Sequence, residues 1–171
     1  MINNAELSTK REEQDVLFKK ICKEYPFKHH QIDDRTFIKL SLYKEDDYRN
    51  HGGWSCFDEI FMGHFDDDKL EHRLIAFFHE LGHVDDKQKK RLGNWRDWDY
   101  YNFDEASAWN TGIRLAKEHG ITFSEDAINW GKEQLSTYFK KEKPNKFKKG
   151  KKYLPQAIKY AFKNKILWKV K

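Results

Sequence analysis

Residues 70–86 read LEHRLIAFFHELGHVDD, and this run constrains the fold more than any other part of the chain. Leu74, Ile75, Phe77, Phe78, Leu81 and Val84 give it a broad apolar face, the pattern of a helix buried against the rest of a domain. Set into that pattern are His79, Glu80 and His83. Two histidines four positions apart stand one above the other on the same side of a helix, so both imidazoles can reach one ion. Imidazole ligands at this spacing point to Zn²⁺. Glu80, beside the first histidine, is placed to serve as general base toward a water at that metal.

A catalytic zinc commonly takes three protein ligands and leaves one position open. The third must come from outside the HExxH segment. Position 89 is Lys89, so the longer HExxHxxGxxH spacing is absent. Glu105 is the best candidate, at the start of the next helical segment, which can lie antiparallel to the first. Asp104 is the alternative. The two side chains diverge by about 100° on a helix, so only one can be well aimed.

The remaining pattern reads as helix, small sheet, then several helices, an α+β domain. Thr9 to Glu12 resembles a capping box that opens a helix ending near Tyr25-Pro26, with Val16, Leu17, Lys20, Ile21 and Tyr25 as its packing face. Thr36–Tyr43 alternates as a strand. Gly52-Gly53 marks a turn, and Trp54–Met62 reads as a second strand closed by Gly63. Asp66, Asp67 and Asp68 offer an N-cap for the HExxH helix, expected from about Lys69 to Lys90. Further helices are expected over 104–119, stopped by Gly120, over 124–139, and after Leu154.

The length of 171 residues suits one domain of the usual size. No apolar run approaches the roughly 20 residues of a membrane span. The opening MINNAELSTKREEQ lacks the hydrophobic stretch of a secretory signal. Two cysteines, Cys22 and Cys56, are too few for a disulfide framework and read as small buried side chains. The expected location is therefore the cytoplasm, with both thiols reduced.

The net charge of +5 conceals an asymmetry. Residues 140–171 hold thirteen lysines against the single acid Glu142, so residues 1–139 are net negative. The sequence therefore divides into a main domain over 1–139 and a lysine-rich extension over 140–171 with a short helix. Lys146, Lys148, Lys149, Lys151 and Lys152 form a candidate polyanion-binding surface. The stretch LPQAIKYAFKN reads as a helix pinned to the core by its aromatic residues. Trp95, Trp98 and Trp109 read as core or loop anchors, and His29, His30, His51, His64 and His72 as surface residues.

Arg73, His79-Glu80-x-Gly82-His83 and Glu105-x-x-Ala108 together resemble the ImmA/IrrE-type zinc metallopeptidases, small gluzincins common on phages and mobile elements. The resemblance covers roughly residues 36–120. It implies a zincin-like fold with a small sheet packed on several helices, and a strand ahead of the active-site helix that pairs with an extended substrate. It also implies one Zn²⁺ on His79, His83 and Glu105, with Glu80 as the base in hydrolysis of a peptide bond. The implied substrate is a specific protein, such as a regulatory repressor. Tyr100, Tyr101 and His119 are candidates for an oxyanion donor. Phe78 stands where the family usually carries alanine. The alternative function is a non-catalytic zincin-like module whose basic end contacts nucleic acid.

Overall fold

The computed structural model describes residues 10–28, 35–42, 53–56, 59–63, 65–88, 100–140 and 154–163. Its elements are α1 (Arg11–Glu24), β1 (Pro26–Lys28), β2 (Arg35–Phe37), β3 (Lys39–Leu42), β4 (Gly53–Cys56), β5 (Glu59–Met62), a 3₁₀ turn (Asp67–Lys69), α2 (Leu70–Gln88), α3 (Tyr100–Glu118), α4 (Glu125–Lys140) and α5 (Leu154–Ala161). This is a mostly helical α+β arrangement.

The long apolar run forms α2, and every residue from Arg73 to Asp85 is buried. A helix covered on all sides must sit at the centre, because its apolar surface needs partners in every direction. Sheet strands β4 and β5, helices α1, α3 and α4, and the 3₁₀ turn all pack on it.

Each stretch that reads as one strand is two. In the stretch that begins at Thr36 the hydrogen-bond partner changes at buried Ile38. β2 pairs antiparallel with β1, whereas β3 runs parallel to β5 with Lys39 opposite Glu59. The stretch 54–62 folds back on itself. β4 and β5 pair antiparallel with Cys56 opposite Glu59, which leaves a connection of only two residues, as in a tight hairpin. The resulting sheet has the order β3-β5-β4, so β4 is an outer strand. Pro26 opens β1, a position where its missing N–H is tolerated.

Helix α1 also departs from the expected face. Lys10, not Thr9, is its N-cap, and no side chain caps it. Val16 is 67% exposed, while Gln14, Phe18, Ile21 and Cys22 are buried. Phe18 decides the orientation: it stacks on Phe77 of α2 at 4.0 Å and 8°, and a large ring outcompetes Val16 for burial. Buried Gln14 remains satisfied, donating to the Leu70 carbonyl at 2.7 Å and accepting from Arg73 at 3.1 Å. Arg73 is thereby turned toward α1, where it also pairs with Asp15 and covers the Phe18 ring.

The C-terminal end of α2 is tied on two sides. The Tyr25 hydroxyl donates to Asp85, which is 1% exposed and pairs with Arg114 of α3 at 3.2 Å. Burial and the Asp85 carboxylate push the Tyr25 phenol upward. At the other end, Glu71 accepts from the backbone N–H and the hydroxyl of Ser124, both at 2.5 Å. Ser124 in turn caps α4 by accepting from the Ala127 N–H at 3.2 Å. His72, expected at the surface, is partly buried, pairing with Asp126 at 2.9 Å and stacking on Trp130.

Helix α3 ends in a Schellman turn. The Ile121 N–H reaches the Ala116 carbonyl, the Gly120 N–H reaches that of Lys117, and Gly120 takes φ +71°. The extension after residue 139 returns to the same core through α5, where Ala157, Ala161 and Phe162 are buried.

Candidate metal centre

The site is built where α2 crosses α3. A Cβ on Gly82 would stand 2.1 Å from the Ala108 carbonyl oxygen, and one on Gly112 would stand 2.2 Å from that of Phe78. The two backbones are therefore in direct contact at a pair of glycines, with Gly82 beside Ala108 and Gly112 beside Phe78, an antiparallel register. That register carries Glu105 to the level of His83. The glycine of the HELGH sequence thus acts sterically, letting the helix that bears the acid approach the helix that bears the histidines.

His79, Glu105 and His83 are buried to 6%, 4% and 9% exposure. Glu105 Oε2 lies 3.2 Å from His79 Nε2 and 3.3 Å from His83 Nε2. These spacings suit a His–carboxylate ion pair and equally two ligands of one metal ion. A tetrahedral zinc with bonds of about 2.0–2.1 Å sets its ligand atoms roughly 3.3 Å apart. The observed separations match that span. Oε2 is also buried and has no well-aligned hydrogen-bond donor among the described residues. A carboxylate oxygen and two imidazole nitrogens converging without bonding to one another form a donor set that a divalent cation would satisfy. The three residues fit zinc.

The electrostatics agree. Burial would raise the Glu105 carboxyl, but the close imidazoles of His79 and His83 overcome it and hold the group at about 2. His83 moves the other way: burial lowers it, and Glu105, Glu80 and Asp104 raise it to a net upward shift. The carboxyl is thus an anion and a ready ligand at neutral pH.

Asp104 does not compete for the shared position. Its Oδ2 is 4.0 Å from His83 Nδ1, behind the ring. Glu80 is 6% exposed, with Oε1 4.0 Å from His79 Nε2. A Cβ on Gly53 would come within 2.9 Å of Glu80 Cγ, so outer strand β4 runs directly beside the Glu80 side chain.

His119 lies one residue beyond α3, about 21 Å along the helix from Glu105 at 1.5 Å per residue, and is exposed. Its ring meets Phe78, with centroids 6.0 Å apart. Tyr100 and Tyr101 open α3, but their side chains lie outside the described residues. Lys146, Lys148, Lys149, Lys151 and Lys152 lie outside them too, as do Trp95 and Trp98. Cys22 is buried and its thiol is pushed up by burial to about 12, which removes it as a nucleophile. No described helix is long and apolar enough to cross a membrane.

Two neighbours of the cluster carry more than their sequence patterns announce. Gly53 reads from the sequence only as a turn residue. Trp109 reads as an anchor, yet it stands four positions after Glu105, which places both on one side of α3. Comparison of the chain with protein-family models, curated proteins and solved structures returns no match.

Proposed function

We propose that the chain is a zinc-dependent peptidase of the ImmA/IrrE type on a zincin-like scaffold. The reading rests above all on the convergence of His79 Nε2, His83 Nε2 and Glu105 Oε2 with Glu80 alongside. His79, His83 and Glu105 would hold the metal, which supplies Lewis acidity and an acidified water when bound. Glu80 takes the proton that the attacking water loses, and returns it to the amine nitrogen as the amide C–N bond breaks. Its near-complete burial suits this work, because a shielded carboxylate transfers its proton to substrate rather than to bulk solvent.

The outer strand β4 supports a polypeptide substrate. It is an outer strand, so one edge has no strand neighbour among the described residues, and Gly53 brings its backbone against Glu80. An extended polypeptide added to that edge would bring its own amide groups to the base. The specific regulatory substrate is carried by the resemblance alone.

The test is Glu80→Gln. The variant should bind zinc as the parent does and lose hydrolysis of peptides selected from a sequence-diverse library. A Glu80→Gln protein that cleaves at the parent rate refutes the assigned base. A parent protein that binds zinc yet cleaves neither library peptides nor any protein of a proteome digest refutes the peptidase reading.

A further inference from the structure

The two histidines of the cluster are held by different devices. His83 has the Asp104 carboxylate near its Nδ1. His79 Nδ1 is buried with no hydrogen-bond partner. Ligand histidines commonly fix their ring plane by donating that N–H to a carboxylate or carbonyl. His79 lacks this support, so another contact must set its orientation.

That contact is Trp109. The indole stacks on the His79 ring with centroids 4.2 Å apart and planes 21° from parallel. Trp109 is 2% exposed, and its own N–H has no partner, so packing rather than hydrogen bonding holds it. The packing comes from two further helices. Phe162, just past α5, lies 5.5 Å from the indole, and Trp130 of α4 meets it edge-on at 6.3 Å. Gly131 of α4 leaves the room: a Cβ there would stand 3.0 Å from Trp109 Cζ3 and 3.1 Å from the Phe162 ring. A glycine inside a helix is unfavourable by itself, and here its omitted methyl group is what lets the rings meet.

We infer that Trp109 is a positioning residue of the metal centre, which fixes the His79 ring plane by stacking, with Phe162 after α5 as its back wall. The inference rests on the reading of His79, His83 and Glu105 as a metal site. Trp109 and Glu105 share one side of α3, so the same helix delivers a ligand and the support for another. The lysine-rich extension acquires a role through this arrangement, because its helix closes the wall behind the metal.

The test uses full-length Trp109→Leu, Trp109→Phe and Phe162→Leu. Zinc affinity is measured by competition with a chromophoric chelator, cobalt(II) geometry by its visible d–d bands, and folding by metal-free thermal melts. Trp109→Leu should weaken zinc binding about tenfold or more and alter the cobalt bands. Trp109→Phe, which keeps an aromatic face, should recover most of the affinity, and Phe162→Leu should fall between. Folded Trp109→Leu with affinity within twofold of the parent and unchanged cobalt bands overturns the inference. Should that variant not fold, Trp109→Met and Phe162→Leu decide by the same two readouts. A parent protein that takes up neither ion refutes the metal site itself, whereas equal binding by parent and variants refutes only the positioning role.

Discussion

Gly82→Ala separates a steric account of the helix crossing from one based on helix propensity. In an isolated helix the substitution is favourable by about 1 kcal/mol. Here the added Cβ would sit 2.1 Å from the Ala108 carbonyl oxygen and 2.9 Å from both the Ala108 carbonyl carbon and the Gly112 nitrogen. All three are backbone atoms, so no rotamer change relieves the clash. Restoring even a tight contact requires the helices to part by roughly 1 Å. Overpacking of this kind costs about 1–3 kcal/mol, which leaves a net loss of up to about 2 kcal/mol after the propensity gain. At about 2–4 °C per kcal/mol for a chain of this size, the metal-free melting temperature should fall by up to roughly 8 °C. The same displacement moves Glu105 away from the histidines by several times the roughly 0.2 Å that zinc ligation tolerates, so zinc affinity should fall more than stability does. Thermal melts followed by circular dichroism in excess chelator, with a zinc competition titration, measure both. A variant that melts above the parent and binds zinc within twofold of it would show that the two backbones are not in contact.

The pH dependence should reverse sign with metal. His83 is raised above its ordinary 6.5, so in the metal-free chain its contribution is complete below that value and is lost as pH rises through the higher folded value. Zinc needs neutral imidazoles, so its affinity should instead rise with pH, and paired melts and zinc titrations from about pH 5.5 to 8.5 check both slopes. Cys22 should resist iodoacetamide at about pH 8 in the folded chain and react in denaturant, as peptide mass mapping will show; rapid native labelling would contradict its burial and its raised thiol. Replacing Lys146, Lys148, Lys149, Lys151 and Lys152 by Gln should abolish any salt-sensitive binding of DNA or RNA by the full chain, measured by anisotropy. Unchanged binding would place the polyanion contact elsewhere.

The pairing of His79 with His83 is legible in the sequence because its information is local and periodic. The spacing of His79 and His83 follows from helix geometry alone, and the apolar residues around them announce a buried helix. The choice of Glu105 over Asp104 needs the crossing register, which depends on a close approach at Gly82 and Gly112 that no single segment encodes. The strands are hidden for a related reason. Residues 57–58 carry neither glycine nor proline, so only Asp58 hints that the apolar stretch folds back. The change of partner at Ile38 is invisible to periodicity. On α1, Val16 fits the helical pattern, but Phe77 on a distant helix selects Phe18 for burial. The stacking of Trp109 on His79 is likewise tertiary, although the four-residue interval from Glu105 offers a clue.

The central claim is that His79, His83 and Glu105 hold one zinc. Zinc K-edge absorption of the zinc-loaded chain, recorded beside its metal content, tests it most directly. The account predicts one zinc per chain with only nitrogen and oxygen ligands at about 2.0–2.1 Å and the outer-shell scattering of two imidazoles, lost in Glu105→Gln with His83→Ala. A sulfur shell near about 2.3 Å, fewer than two imidazoles, or no stoichiometric zinc would contradict it.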